Sequence, residues 1–151
     1  MCIRDRYYTP DKETLFCKQL LRKENEIIGY ETGLSALNRI GLVSQMPKRR
    51  CIATNLHTKR IPEGMQIEIR KPPIVVNSGN FRYLQILDAI RELDMAPVDT
   101  AKPIDVVRAT VEEFTLKTEM LILMARKYYG QKTLLRTIDI LLEGSYETAR
   151  G

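Results

Sequence analysis

Gly29-Tyr30-Glu31-Thr32-Gly33-Leu34-Ser35-Ala36-Leu37-Asn38-Arg39-Ile40-Gly41-Leu42, followed by Val43-Ser44-Gln45-Met46-Pro47 and then Lys48-Arg49-Arg50-Cys51-Ile52-Ala53-Thr54-Asn55, is the stretch around which this chain is organised. It reads as a short helix, a turn closed by proline, and a basic strand. Thr32 is suited to cap a helix in which Leu34, Leu37 and Ile40 recur every three residues, with Ala36 beside them. Gly41 falls where a left-handed residue would end that helix. Arg50–Thr54 and Gln66–Arg70 alternate with the period of half-buried strands. Pro72-Pro73 stops the second strand, because proline has no N–H to give a ladder. Ile74–Val76 offers one further short strand.

On the N-terminal side, Asp11 or Pro10 begins a helix with Leu15, Phe16 and Leu20 as its apolar face. Glu26–Gly29 forms a short extended lead into the central stretch. On the C-terminal side, Asn77-Ser78-Gly79-Asn80 is a loop whose last residue can cap the helix Phe81–Asp94. That helix carries Phe81, Leu84, Leu87, Ile90 and Leu93, with Ile86 adjoining. Asp94–Lys102, containing Pro97, reads as a linker, and Pro103 suits the first turn of a next helix with Val106, Val107, Val111 and Phe114 inward. Met120–Tyr128 and Thr133–Glu143 form two more helices joined near Gly130. Their apolar residues (Met120, Leu121, Leu123, Met124; Leu134, Leu135, Ile138, Leu141, Leu142) read as core, and Ser145–Gly151 as a fraying end. The predicted fold is α+β: a small sheet covered by the Thr32 and Phe81 helices, with a helical C-terminal half. Leu37, Ile52, Ile67, Ile69, Leu84 and Leu87 are its expected core.

With 151 residues, 44% hydrophobic and 28% charged, the composition is that of one ordinary globular domain. No apolar run approaches the roughly 20 residues of a membrane span, and no secretory signal is visible, which predicts a cytoplasmic protein without a membrane partner. Cys2, Cys17 and Cys51 are odd in number and lack metal-ligand spacing, so free thiols are expected. His57 stands alone in a loop.

Charge is distributed unevenly. Between Gln45 and Lys71 lie Lys48, Arg49, Arg50, Lys59, Arg60, Arg70 and Lys71, opposed by Glu63 and Glu68 alone. Seven against two equals the net +5 of the whole chain, leaving 17 of its 24 basic and 17 of its 19 acidic residues elsewhere. Such a segment can neutralise nucleic-acid phosphates without reading sequence. It can equally serve solubility by blunting strand edges. It has no interleaved aromatics, which disfavours stacking on single strands.

Nothing in the chain reads as a catalytic motif. There is no Gly-rich phosphate loop, no zinc spacing and no nucleophile motif, and Glu112-Glu113 reads as a solvated helix face. The expectation is a protein that is not an enzyme, with neither cofactor, metal nor small-molecule substrate.

The central stretch resembles the shared segment of AbiEi-family antitoxins of type IV toxin–antitoxin systems. A Ser/Thr-Gly-x-x-Ala-Leu-x-x-x-Gly-Leu-x-x-Gln-x-Pro pattern falls on Thr32, Gly33, Ala36, Leu37, Gly41, Leu42, Gln45 and Pro47, and a strand ending in Thr54-Asn55 follows. Met124-Ala125-Arg126-Lys127-Tyr128-Tyr129, with Leu134-Leu135 and Leu141-Leu142-Glu143, is similar to that family's closing helices. The resemblance implies an antitoxin and transcriptional autorepressor that counteracts a nucleotidyltransferase toxin. Such a toxin needs Gly-Ser followed by Asp-x-Asp; here Gly144-Ser145 stands near the C-terminus and no Asp-x-Asp occurs. Relatives commonly carry an N-terminal winged helix, whose recognition helix would read promoter DNA. Tyr7, Tyr8 and Pro10 resemble its exit strand, and Met1-Cys2-Ile3-Arg4-Asp5-Arg6 looks like a translated sequencing adapter. The implied layout is a scar over 1–6, a winged-helix remnant over 7–10 and an antitoxin domain over 11–151. The alternative is a non-catalytic DNA-binding accessory or scaffold domain.

Overall fold

The computed structural model describes residues 12–45, 47–93 and 102–150, with side chains as far as 142. The readings made for residues 1–11, and the linker residues 94–101, lie outside the described residues. Helix α1 (Lys12–Leu21) buries Phe16, Cys17 and Leu20, but the expected Leu15 points to solvent. A one-residue step explains this: the buried set runs i, i+1, i+4, and Cys17 completes it. The chain then turns through a two-strand hairpin, β1 (Arg22–Lys23) and β2 (Glu26–Ile27), before β3 (Gly29–Glu31). What looked like a short extended lead is thus a hairpin arm and a true strand. Gly29 is required by proximity, since a Cβ there would lie 2.3 Å from the Leu20 carbonyl oxygen.

Helix α2 (Gly33–Arg39) begins one residue before the expected Leu34 and stops where its sequence dictates. At its end Gly41 has φ +91°, its N–H donates to Asn38 O, and the Leu42 N–H donates to Leu37 O (2.8 Å). These two bonds are a Schellman motif, and the hydrophobic contact that accompanies one is supplied by fully buried Leu37 and Leu42. Ala36, Leu37 and Ile40 face inward, whereas Leu34 is 42% exposed, because the sheet lies against only one side of so short a helix.

Strand β4 (Arg50–Thr54) matches its expected bounds, and β5 (Ile67–Arg70) begins one residue late. The sheet order is β3-β4-β5, with β4 antiparallel to β3 (Tyr30 opposite Ala53) and parallel to β5 (Ile52 opposite Ile69). The period-2 alternation of β4 therefore serves two covered faces instead of one. Ile52 packs with Phe16, Cys17, Leu20 and Ile67 under α1, while Ala53 joins Tyr30, Leu37, Leu84 and Leu87 on the other side. The parallel connection 55–66 contains only turns, and its Leu56, Ile61 and Met65 cover the α1 cluster where a crossover helix would otherwise lie.

Ile74–Val76 is not a strand. Instead the Asn55 side chain imitates one: its Nδ2 donates to Val76 O (3.0 Å) and the Val76 N–H donates to its Oδ1 (2.8 Å). The prolines before it keep the segment off the ladder, and Val75 is 73% exposed. The next cap also shifts. Asn77 Oδ1 accepts from the N–H groups of Gly79 and Asn80, and Asn80 Oδ1 accepts from the Asn77 N–H, a reciprocal box beginning three residues earlier than expected.

Helix α3 (Phe81–Leu93) is the centre of the molecule, with α2 and the sheet on one side and α4 (Pro103–Glu113), α5 (Thr118–Tyr128) and α6 (Gln131–Arg150) packed around it. Pro103 sits in the first turn of α4, Val107 and Val111 are buried, and Val106 and Phe114 are partly so. In α5 and α6 the inward residues are Leu121, Met124, Ala125, Thr133, Thr137 and Ile140. Met120, Leu123, Leu135 and Leu142, read as core, are exposed. Threonines occupy the buried face of α6 because Thr137 returns its hydroxyl to Thr133 O (2.8 Å), which removes the cost of burying it. The backbone of α6 continues past Glu143 to Arg150 instead of fraying from Ser145; Gly144 lowers helix propensity by only about 1 kcal/mol. The architecture is α+β with a helical C-terminal half, and Leu37, Ile52, Ile67, Leu84 and Leu87 are buried, with Ile69 partly so.

Candidate nucleic-acid interface

The sheet separates the basic residues into two groups. Lys48 and Arg49 precede β4 and are exposed, with Arg50 half-buried beside them. Because β4 and β5 run parallel, Lys71 follows β5 at the opposite end, while Lys59 and Arg60 lie on the loop that returns from that end; all three are exposed. Two of the seven are built into the fold. Arg70 is held by Glu68 (2.5 Å) and by Glu92 of α3 (3.4 Å). Arg50 is half-buried, and the neighbouring Cys17 thiol holds its guanidinium above the ordinary value. Lys59 lies over the Phe16 ring (5.2 Å) and donates to Gln19 Oε1 (3.1 Å), both neutral partners that leave its charge uncompensated. Lys48, Arg49, Arg60 and Lys71 make no ion pair with any described residue. The ends of β4 are about 13 Å apart at 3.3 Å per residue, against about 3.4 Å of axial rise per phosphate on one DNA strand, so one duplex can meet both groups. His57 is an exposed residue of the connecting loop, and Glu112 and Glu113 are exposed on α4, as read from sequence.

The residues that sequence reasoning missed are polar and buried. Asp88, 2% exposed, stands on α3 facing β3. Its Oδ2 accepts from Tyr30 Oη (2.9 Å) and from Thr32 Oγ1, and its Oδ1 accepts from Tyr129 Oη, with Arg91 at 3.6 Å. Thr32 therefore occupies the cap position of α2 without capping it, because its hydroxyl is spent on Asp88. Burial first, and then the Asp88 charge, push both phenols well above the usual tyrosine range, which keeps them protonated donors. Flanking Asp88 on the same face, Gln85 Nε2 donates to Glu31 O (3.1 Å) and Glu92 meets Arg70. The available signal was the stripe Gln85, Asp88, Glu92 at i, i+3, i+7, beside the helix's apolar face. Of the three, Gln85 meets the backbone of β3, Asp88 the hydroxyls of Tyr30, Thr32 and Tyr129, and Glu92 the guanidinium of Arg70.

Cys17 and Cys51 are free and buried, and burial is the main force raising both thiols, away from the nucleophilic thiolate. Among the described residues no helix is long and apolar enough to cross a membrane. Comparison with protein-family models, curated proteins and solved structures finds no match to this chain.

Proposed function

We propose that this chain is a non-catalytic regulatory domain of the AbiEi antitoxin type, acting in the cytoplasm, which holds duplex DNA by its phosphates. The observation that carries this reading is the set of five exposed cations, Lys48, Arg49, Lys59, Arg60 and Lys71, without acidic partners among the described residues, flanking β4 and on the loop that follows it. Lysines and arginines so placed position a protein on DNA but carry no base information. Operator choice belongs, in this reading, to the family's winged helix, and the functional partner is a nucleotidyltransferase toxin. The structural uses of Thr32, Gly41, Leu42, Thr54 and Asn55 support the resemblance as one of fold-forming residues: Thr54, for example, donates to Leu20 O (2.7 Å) and ties α1 to the sheet. The satisfied Asp88 cluster and the raised thiols support a non-catalytic role.

The test is the salt dependence of duplex binding by the full chain. Five phosphate contacts give a slope of about −4.5 in log K against log salt, and either end alone about −2 to −3. Reversing Lys48 and Arg49 to Glu should flatten the slope on all sequences alike. An unchanged slope and affinity would leave these cations as a solubility feature. Growth rescue on co-expression with a type IV nucleotidyltransferase toxin tests the antitoxin assignment separately.

A further inference from the structure

A second basic site lies outside the 45–71 segment. Arg22 of β1, Arg39 at the end of α2 and Arg82 in the first turn of α3 converge on one cleft of about 190 Å³, floored by Phe81 and Gln85. These arginines come from three separate elements, so the sequence gives no hint of their meeting. Among the described residues Glu31 is the one carboxylate lining the cleft; it pairs with Arg39 at 3.6 Å, and Arg39 remains 67% exposed. Arg82 has no ion pair among the described residues. It is held by aromatic rings, its guanidinium 4.0 Å from the Phe114 centroid and 4.8 Å from that of Phe81. A guanidinium stacked on ring faces can still offer its N–H edge to a planar or tetrahedral oxyanion. Burial first, and the like charge of Arg39 second, push the Arg82 guanidinium below its ordinary value, against the opposing charge of Glu113 on α4. The cleft thus gathers positive charge that its own carboxylate does not neutralise, and its volume is that of about six waters at about 30 Å³ each.

We infer that the cleft between β1, β3, α2 and α3 is a phosphoryl-binding site, with Arg82 and Arg39 as its principal ligands and Arg22 at its rim. The group bound is a phosphate oxyanion, carried as a monoester by a small phosphorylated molecule or as a diester by a nucleic-acid backbone. Glu31 orients Arg39 and limits affinity by its own charge.

The probe is inorganic phosphate added to the full chain, against sodium chloride at matched ionic strength. Phosphate at ten times its Kd should raise Tm by about 3–6 °C. Arg82→Gln and Arg39→Gln should each abolish the rise, and Glu31→Gln should enlarge it. Arg39 is mostly exposed, so its variant keeps the test alive if loss of the Arg82 stacking unfolds the domain. Phosphorus NMR line-broadening at ambient temperature gives a readout independent of stability. A duplex-binding arm separates the sources. If the arginine variants weaken duplex binding and phosphate competes with it, the site takes backbone phosphate. If duplex binding is untouched while phosphate binding is lost, the ligand is a small phosphorylated molecule. No effect of phosphate beyond chloride, or an equal effect on wild type and both arginine variants, overturns the proposal.

Discussion

Asp88→Ala isolates the buried network that joins β3, α2, α3 and the end of α5. Removing the carboxylate takes the acceptor from Tyr30 and Thr32, each nearly inaccessible to water, whereas Tyr129 keeps Leu84 O at 3.2 Å as a second acceptor. Two orphaned hydroxyls at about 1–3 kcal/mol each, together with a small void, give an expected loss of about 3–5 kcal/mol. Tyr30→Phe alone should cost about 1–2 kcal/mol, since it removes a charge-assisted bond but leaves Asp88 two donors. The decisive measurement is the double variant. Once Asp88 is gone the Tyr30 hydroxyl is a liability, so deleting both should cost less than the sum by about 1–3 kcal/mol. Urea denaturation followed by circular dichroism reads all four proteins, with m-values showing whether the transition stays two-state. Additive losses, or an Asp88→Ala variant as stable as wild type, would refute the claim that these hydroxyls depend on that carboxylate.

Leu87→Ala, at a fully buried position of α3, should cost about 2–5 kcal/mol in the same assay. Gly29→Ala should cost more than an ordinary strand substitution and shift the transition midpoint sharply, because its Cβ has only 2.3 Å to the Leu20 carbonyl and backbone must move. Both phenols titrate above their ordinary value of about 10 in the folded state, so stability is complete below about pH 10 and falls as pH rises beyond it. The slope contributed is up to about 1.4 kcal/mol per pH unit for each tyrosine, and Tyr129→Phe should remove one such share between pH 10 and 11.

What could be read in advance followed from local chemistry. Gly41 and Leu42 end α2 as its pattern demands, and β4 has the bounds its alternation gives. What could not be read depends on neighbours. Leu15 and Leu34 looked inward because helical periodicity gives a stripe's direction but not its width, and Cys17 and the β4 faces decide which side is covered. Asn55 could not be recognised as a surrogate strand, since its two bonds reach Val76 across a loop. The basic segment was visible as a run of charge, but its division between two ends required knowing that β4 and β5 are parallel. Asp88 was hidden for the converse reason: its partners Tyr30, Thr32 and Tyr129 lie 41 to 58 residues away in sequence.

The sheet's two unequal sides also determine how the molecule comes apart. Beneath α1 the buried residues described are Phe16, Cys17, Leu20, Ile52 and Ile67, edged by partly buried Leu56, Ile61 and Met65, while the cluster on the other side extends through α3 to Leu121 and Ile140. A β4 backbone lies between them, so the small cluster can open without breaching the large one. Amide hydrogen exchange in α1 should then proceed through a local opening of lower free energy than the global unfolding that exposes α3. Helix α1 is then expected to lift as a flap from the body around α3, to which Arg39, Arg82 and the Asp88 network belong.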